Sequence, residues 1–383
     1  MRNAAAAPVD AGTVKDGQVD FSSIVRSTEA SEENAEGPLA PEKRVGFAVV
    51  ALGRLSVEQI LPAFGSTTKC RLAALVSGAS EKLQTVGHQY GLGRDAVYDY
   101  NQLERLKERA DVDVVYIVLP NSMHKEFVLR AAAIGKHVLC EKPMATSAID
   151  AQEMIRACAA ASVKLMIAYR CRYQPHHLEM IRRAQSGDLG RVKLVESINA
   201  QNQGDPEQWR LRKALAGGGS LPDVGIYCLN AARAITGEEP LEVEAQVYST
   251  PNDARFREVE ETVVWSMRFP SGALANLSTS YGVHRASRLA VNLDDGSLLM
   301  DNAYPYHGQR LRVRRAVNGV ETEGDLAISP KDHFASEMDH MADCILGNRG
   351  PRTPGEEDLR DMQIMEAIYK SAQSRIPVKI NQS

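Results

Sequence analysis

The chain has 383 residues, of which 44% are apolar and 25% are charged, and its net charge is −4. One hydrophobic core rarely grows beyond about 250–300 residues, so this length predicts two domains. The balanced composition is typical of a globular protein. Because the chain has neither a long basic run nor an apolar run of membrane-span length, we expect no nucleic-acid partner and no membrane partner.

The cysteine pattern predicts reduced thiols rather than disulfides or a metal site. No two cysteines form a C-x-x-C pair, and cysteine and histidine are never spaced as metal ligands. The N-terminus lacks the apolar segment of a secretion signal, so we expect a cytoplasmic protein, or a periplasmic one if a leader was removed. The six cysteines are Cys70, Cys140, Cys158, Cys171, Cys228 and Cys344.

Residues 1–40 contain few large apolar side chains and many Ala, Glu, Asp, Ser, Gly and Pro residues. Such a segment cannot bury enough surface to offset the entropy of ordering, which predicts a disordered N-terminal arm. A short apolar island at 19–25 leaves open that part of the arm docks on another surface.

From residue 44 onward, short apolar runs alternate with segments of helical periodicity. The runs are continuous rather than alternating, as expected for strands buried on both faces of a parallel sheet. This β–α alternation predicts a doubly wound parallel sheet, a Rossmann domain over residues 41–165. The expected strands are 45–50, 72–76, 97–98, 112–119, 137–140 and 164–168.

Beyond residue 166 the apolar period changes to two, which is typical of antiparallel strands. Apolar and polar residues alternate at 242–247 and 263–269, and Asp295–Gly296 is a hairpin turn signal. Helices are expected at 332–346 and 356–372. The second domain, residues 166–383, is therefore predicted to be α+β, with a large, mostly antiparallel open sheet.

The first strand ends in a turn that resembles a dinucleotide-binding fingerprint. The usual pattern is G-x-G-x-x-G/A, and here only the middle glycine, Gly53, is present, with Ala51 and Ser56 in the outer positions. The turn leads from a buried strand into a helix, whose free N–H groups attract phosphate. The residues expected to hold the pyrophosphate are Leu52, Gly53, Arg54 and Leu55.

The end of the second strand favours NADP over NAD. A carboxylate there would bind the ribose 2′-hydroxyl and repel a 2′-phosphate, but the chain has Ser77 and Gly78, with no acid before Glu81. Lys82 and Arg54 add positive charge nearby. Ser77, Gly78 and Lys82 are therefore expected to contact an NADP 2′-phosphate.

Two further strand ends should face the nicotinamide, because ligands in open α/β sheets lie outside the carboxyl ends of the strands. The fourth strand is followed by Leu119, Pro120, Asn121 and His124. The fifth ends in residues 140–143, which read Cys-Glu-Lys-Pro, so Glu141 and Lys142 join the expected cofactor contacts.

The Glu-Lys-Pro strand end resembles the Gfo/Idh/MocA oxidoreductase family. Further short motifs from residue 44 to 378 agree in order with a subgroup of that family that oxidises one sugar at C1 to a lactone and reduces a second to an alditol. The resemblance implies NADP that stays bound between the two half-reactions, and a homo-oligomer, a dimer or tetramer, built through the C-terminal sheet. The motifs lie at 119–122, 169–171, 208–212, 217–220 and 354–357.

The resemblance also implies the reacting residues. Lys142, Asp223 and Tyr227 are expected at the sugar, with Tyr227 as the acid/base, Lys142 lowering its pKa and Asp223 bonding a hydroxyl. Ser220 and Asp223 alternatively fit a helix capping box, and this purely structural role stays open. Tyr169 is expected to touch the substrate, and a second set is expected to enclose the cofactor, namely Arg170, Trp209 and Arg210.

Three functions remain open at this point. The first is a sugar oxidoreductase that couples two sugars through a recycled NADP(H). The second is an ordinary NADP-dependent sugar or polyol dehydrogenase with exchangeable cofactor. The third is a noncatalytic NADP-binding sensor, which would have no need of Lys142, Asp223 and Tyr227.

Overall fold

The computed structural model describes residues 13–15, 18–20 and 37–381. In the N-terminal part, strands β1 (Thr13–Lys15) and β2 (Gln18–Asp20) pair antiparallel. The remainder of the predicted arm up to residue 36, and most of its apolar island, lie outside the described residues.

The first large sheet has six parallel strands, and its order β5-β4-β3-β6-β7-β8 confirms the predicted doubly wound topology. Its central strands are buried along their whole length, which explains why they are continuously apolar in sequence. The six strands are β3 (Val45–Val50), β4 (Cys70–Val76), β5 (Val97–Tyr98), β6 (Val114–Ile117), β7 (His137–Glu141) and β8 (Leu165–Ala168).

Helices cover both faces of this sheet. The turn after β3 leads into a π-helical turn, Ser56–Ile60, that continues as α1 (Leu61–Ala63). The segment containing Leu103 and Leu106 is a 3-10 helix, Tyr100–Glu108. The other helices are α2 (Ser80–Gln89), α3 (Asn121–Ala133) and α4 (Ala148–Ala160).

The second large sheet has nine strands in the order β16-β15-β14-β13-β9-β12-β11-β10-β17. Every neighbouring pair is antiparallel except β9 and β12, so the predicted mostly antiparallel sheet is confirmed. The strands are β9 (Val192–Asn202), β10 (Glu242–Tyr248), β11 (Thr262–Arg268), β12 (Leu274–Ser280), β13 (Gly282–Leu293), β14 (Gly296–Asp301), β15 (Arg310–Val317), β16 (Val320–Asp325) and β17 (Val378–Lys379).

The C-terminal helices join the two sheets. Helix α8 packs against β4 and contributes Phe334 and Met338 to the core below the parallel sheet, while α9 contacts β8, β10 and α4. The parallel sheet runs to Ala168, three residues past the predicted boundary at 165, and that boundary stays a prediction. The helices of this part are α5 (Pro175–Gln185), α6 (Lys213–Ala216), α7 (Ile226–Thr236), α8 (His333–Leu346) and α9 (Gly355–Ser374).

All six cysteines are buried and unpaired, which agrees with the prediction of reduced thiols. Among the described residues, no helix combines the length and the apolar character that crossing a bilayer requires.

Candidate active site

The turn after β3 has the shape of a phosphate-binding turn in spite of its atypical sequence. Ala51 has a φ of 80°, which is a left-handed conformation. The fingerprint usually has glycine at this position, and glycine adopts this conformation without strain. Its N–H bonds the carbonyl of Val76 at 2.8 Å, which ties the turn to β4. A Cβ on Gly53 would have no atom within 4 Å, so the backbone there is open to a ligand.

Lys82 reaches this turn, because its ammonium group bonds the carbonyl oxygen of Leu52 at 3.1 Å. Ser77 is buried at the end of β4, and its N–H bonds the carbonyl of Tyr98. A Cβ on Gly78 would lie 3.0 Å from the Tyr100 ring, so the residue must be small. The structure therefore brings Ser77, Gly78 and Lys82 beside the turn, where a dinucleotide would fit.

Arg54 and Leu55 complete the turn. Arg54 points outward, with 87% of its side chain exposed, and pairs with Glu58 four residues on. Both residues are helical and lead directly into the π-helical turn. Of these two side chains, Arg54 is the one placed to contact a phosphate in solvent.

The loop after β6 is fixed from beneath by His124. Its two ring nitrogens lie 2.7 Å from the carbonyl oxygen of Leu119 and 3.0 Å from that of Pro143, and the side chain is fully buried. Burial lowers the pKa of His124 to about 4, so the ring is neutral. The prediction that His124 contacts the cofactor is wrong in this respect, because its ring is buried between the two loops, where the neutral imidazole donates its one N–H to one of the two carbonyl oxygens.

Pro120 precedes α3 and Asn121 begins it, at the end of the same loop. The Asn121 side chain is buried and donates to the carbonyl oxygen of Ala216 at 2.9 Å. Both residues lie at the carboxyl edge of the sheet, as predicted, but the amide group of Asn121 is engaged with the helix that precedes the glycine-rich loop.

Lys142, Asp223 and Tyr227 come together at the end of β7. The ammonium group of Lys142 donates to the backbone carbonyl of Asp223 and lies 3.6 Å from its carboxylate. The same group lies 4.5 Å from the centre of the Tyr227 ring, within cation–π range. Residues from both halves of the chain therefore build one cluster.

The backbone around Asp223 is held by a buried acid, Glu260. Its carboxylate accepts the N–H groups of Gly219 at 2.8 Å and Leu221 at 3.0 Å. A Cβ on Gly219 would lie 2.1 Å from the carbonyl oxygen of Glu260, so only glycine fits there. Ser220 makes no capping hydrogen bond, and the capping-box alternative for Ser220 and Asp223 is therefore wrong.

The Asp223 carboxylate instead faces three donors. Oδ2 accepts a hydrogen bond from Tyr281 at 2.6 Å and lies 3.2 Å from the Arg210 guanidinium. Burial tends to raise the pKa of Asp223, but the charges of Arg210 and Lys142 and the hydrogen bond from Tyr281 outweigh it and hold that pKa below its usual range. Asp223 is therefore ionised and oriented.

Arg210 and Trp209 lie on a 3-10 turn, Trp209–Leu211, over the cluster. The Arg210 guanidinium stacks 4.6 Å from the Trp209 ring. Because it also pairs with Asp223, Arg210 lies at the reacting cluster itself. The sequence prediction placed both residues only around the cofactor.

A second cation, Arg170, also faces Tyr227. Its guanidinium lies 4.8 Å from the centre of the Tyr227 ring. Burial raises the pKa of Tyr227 above its usual value, with Arg170 opposing the shift. The pKa of Tyr227 is therefore raised overall, and Tyr227 holds its proton at neutral pH. A lowering contribution from Lys142 stays a prediction.

Arg170 is buried, so its expected place around the cofactor needs correction. It donates to the carbonyl oxygen of Tyr304 at 2.6 Å, lies 3.3 Å from His333, and stacks at 4.8 Å on the half-exposed Tyr306 ring. Arg170 thus lies on the buried side of Tyr227. Tyr306 and Tyr281 escaped the sequence analysis, because both follow ordinary alternating strands.

Tyr169 does not reach the cleft. Its side chain is buried, and the hydroxyl turns toward Asp358 and Asp361 on α9. The prediction that it touches substrate is wrong, because a residue at a strand end can point inward as well as outward.

Glu141 is also turned inward. Its carboxylate accepts from the Tyr116 hydroxyl at 3.0 Å, and the same hydroxyl lies 3.4 Å from the buried Glu337. Burial raises the pKa of both acids. Glu141 therefore supports the loop of Lys142 from within the protein, with its carboxylate directed away from the expected cofactor side.

Comparison with protein-family models shows which family the chain belongs to. Residues 45–169 match the oxidoreductase family with an NAD-binding Rossmann fold, and residues 177–299 match the GFO/IDH/MocA C-terminal domain. The chain belongs to the Gfo/Idh/MocA oxidoreductase family, which confirms the resemblance noted in the sequence.

Within that family, the chain is similar to the aldose–aldose oxidoreductase of Caulobacter crescentus, whose crystal structure contains glycerol. The two are 44% identical, the match covers 88% of this chain and 100% of that one, and the TM-score is 0.85. The D-xylose 1-dehydrogenase [NADP(+)] of Haloarcula marismortui is 29% identical over 352 residues, 89% of this chain and 95% of the relative. The 1,5-anhydro-D-fructose reductase of Ensifer adhaerens is 26% identical over 333 residues, 85% of this chain and 96% of the relative.

Proposed function

We propose that the protein is an NADP(H)-dependent sugar oxidoreductase. In this proposal it oxidises an aldose at C1 to an aldonolactone and reduces a second sugar to an alditol with the same bound cofactor. The observation that carries it is the cluster of Lys142, Asp223 and Tyr227 at the edge of the sheet where the dinucleotide turn ends. The similarity to an aldose–aldose oxidoreductase supports the pairing of two sugars.

The residues present fit NADP. Gly53 leaves its turn open, and Ser77 and Lys82 replace the carboxylate that would select NAD. The similarity to relatives that use NADP, such as the D-xylose 1-dehydrogenase [NADP(+)], supports the same cofactor. When bound, the oxidised nicotinamide accepts a hydride and adds a positive charge that favours ionisation of nearby acids.

Tyr227 is the acid/base in this proposal. In reduction, the protonated Tyr227 gives its proton to the carbonyl oxygen of one sugar and becomes a phenolate, which the charge of Arg170 stabilises. In oxidation, that phenolate takes the proton of the C1 hydroxyl of the other sugar as the hydride leaves, so that Tyr227 regains the proton it gave. Its raised pKa suits the donating step, because the proton is retained between the two sugars.

Asp223 and Lys142 orient the sugar. Asp223 is an ionised acceptor for a sugar hydroxyl, and Tyr281 and Arg210 fix the direction of its free lone pairs. Lys142 donates a hydrogen bond to the reacting sugar hydroxyl in this proposal. Its bond to the Asp223 carbonyl also holds Asp223 close to Tyr227. Holding the sugar in a fixed orientation lowers the entropic part of the reaction barrier and so raises the rate of hydride transfer.

The outer face of the nine-stranded sheet is the proposed contact between subunits of a dimer or tetramer. It exposes apolar side chains among polar ones, including Tyr248, Val264 and Leu274, with 58%, 45% and 49% of their surfaces accessible. Patches of this kind favour association.

The experiment is to denature the purified protein and measure released NADP(H) by its ultraviolet absorbance. We expect about one equivalent per chain, and incubation with glucose plus a second sugar, without added cofactor, then yields lactone and alditol. A protein that releases no nucleotide but oxidises an aldose with added NADP would instead be an ordinary dehydrogenase. That second candidate is favoured by the similarity to D-xylose 1-dehydrogenase.

A further inference from the structure

Behind the loop of Lys142 lies a buried acid cluster that the reaction scheme does not use. Asp358 and Asp361 on α9 are fully buried, and Tyr169 at the end of β8 is buried beside them. The Tyr169 hydroxyl is within hydrogen-bonding distance of Asp358 Oδ1, and it lies 2.6 Å from Asp361 Oδ2. No solvent reaches these oxygens, so their contacts must be satisfied by protons within the cluster.

Counting those protons distinguishes the two acids. A tyrosine hydroxyl has one proton to donate, whereas an ionised carboxylate can only accept. If both acids were ionised, one close oxygen–oxygen contact would contain no proton. Asp361 is held as the ionised member, because Arg233 donates to its Oδ1 at 2.7 Å and Asn230 to its Oδ2 at 2.9 Å. The remaining proton belongs to Asp358, which donates to Tyr169 while Tyr169 donates to Asp361.

The other oxygen of Asp358 connects the cluster to the reacting loop. Asp358 Oδ2 accepts the backbone N–H of Met144 at 2.7 Å. Met144 is two residues after Lys142, whose ammonium group donates to the backbone carbonyl of Asp223. Asp358 is therefore the anchor of the segment that positions Lys142 against Asp223.

We propose that Asp358 is a positioning residue whose retained proton, shared through Tyr169, keeps the Lys142 loop in its reactive place. The inference rests on the proposed sugar oxidoreductase function. Loss of this proton puts a second negative charge against Asp361 in a space without water, and the repulsion loosens the contact with Met144.

The surroundings of the cluster support a proton at Asp358. Burial, and then the charge of Asp361, raise the pKa of Asp358 to about 7, against the opposing effect of the contact with the Tyr169 hydroxyl. Lys142 lowers this pKa from the loop side. Burial raises the pKa of Asp361 to about 6, although Arg233 opposes it. The other charges that face the cluster are Glu357 on α9, which pairs with Arg172 and Arg233, and Glu239, which pairs with Arg233.

The test compares Asp358→Asn with Asp358→Ala. The asparagine amide can donate to Tyr169 and its carbonyl can accept from Met144, as the protonated acid does, but it cannot ionise. We expect wild-type turnover to fall as pH rises through about 7, the Asn variant to keep turnover without this alkaline fall, and the Ala variant to lose on the order of 10²-fold in kcat. Glu366→Gln is the matched control, because Glu366 also accepts a backbone N–H, from Ala148, but at an exposed site.

A second measurement does not depend on turnover. The infrared difference spectrum between the wild type and Asp358→Asn, both as purified, should show a protonated carboxyl band near neutral pH, because the bands of Glu141 and Glu337 cancel in the difference. The difference between the wild type and Glu366→Gln should show no such band. If the Asp358 difference band is missing, or if Asp358→Asn keeps the alkaline fall, the inference is overturned. If the wild-type protein turns over no sugar at any pH, the proposed function fails instead, and the infrared band still decides whether Asp358 holds the proton.

Discussion

Replacing Tyr227 by Phe removes one hydroxyl and little else. The ring would stay between Lys142, at 4.5 Å from its centre, and Arg170, at 4.8 Å. Both cation–π contacts survive the change, because they depend on the ring and not on the hydroxyl. The substitution therefore isolates the proton carried by Tyr227.

The expected size of the effect follows from these contacts. A positioned acid/base contributes about 10²- to 10⁴-fold, so kcat should fall at least about 10²-fold, or about 2.7 kcal/mol. Arg170 keeps its 2.6 Å bond to the Tyr304 carbonyl and its contact with His333. Folding stability should therefore change by only about 1 kcal/mol.

The assay is stopped-flow fluorescence of the bound cofactor during a single turnover with an aldose. Tyr306→Phe is the matched control, since it removes a hydroxyl from another ring that stacks on Arg170 at 4.8 Å. We expect the control to react at close to the wild-type rate. Equal losses in the two variants, or near-normal reaction of Tyr227→Phe, would refute the assigned role.

Three further predictions concern the cofactor, the loops and the subunit contact. Ser77→Asp places a carboxylate against the 2′-phosphate and should weaken NADPH relative to NADH at least about tenfold in fluorescence titrations, whereas Ser66→Asp at the opposite end of β4 should not. Neutral His124, with its pKa lowered to about 4, stabilises the fold above pH about 6.5, and up to about 3 kcal/mol is lost as pH falls toward 4. The Tm of His124→Gln should therefore fall less over this range, and a parallel fall would contradict the assignment. Val264→Glu should reduce the sedimentation coefficient to that of a smaller assembly, and an unchanged value would exclude this sheet face as the interface.

The sequence predicted the parallel sheet well because its strands are buried on both faces. A strand such as β3, with every side chain buried, has a continuous apolar run that few other structures produce. Strand β9 was missed although it lies at the centre of the second sheet. Its burial alternates irregularly, so its apolar residues have neither period two nor a continuous run. Strand β16 is exposed throughout and carries no hydrophobic signal.

The candidate site was predictable only where position in the chain implies position in space. Lys142 follows a buried strand, and the carboxyl edge of a parallel sheet is a known location for ligands. The partners that orient it are distant in sequence. Tyr281 lies 58 residues from the Asp223 that it bonds, and Asp358 lies 214 residues from Met144. Contacts between residues so far apart leave no local pattern in the amino-acid sequence.

The sequence also could not predict whether a side chain at a strand end points inward or outward. His124 and Tyr169 were placed in the cleft because they follow strands, yet both are buried and bonded to groups behind it. The direction depends on the polar groups behind each residue, which are loop carbonyls for His124 and two carboxylates of α9 for Tyr169.

Helix α9 constrains how substrates can enter. Its 20 residues extend about 30 Å and pass across both sheets. Along this length Asp358 bonds Met144, Glu366 bonds Ala148, and Ser371 bonds the N–H of Ala245 in β10. A hinge motion that separated the two sheets would break contacts at several points of one rigid rod. In the proposed function, we therefore expect sugars to exchange through movement of surface segments such as the turn that carries Arg210, with the two sheets remaining fixed to each other.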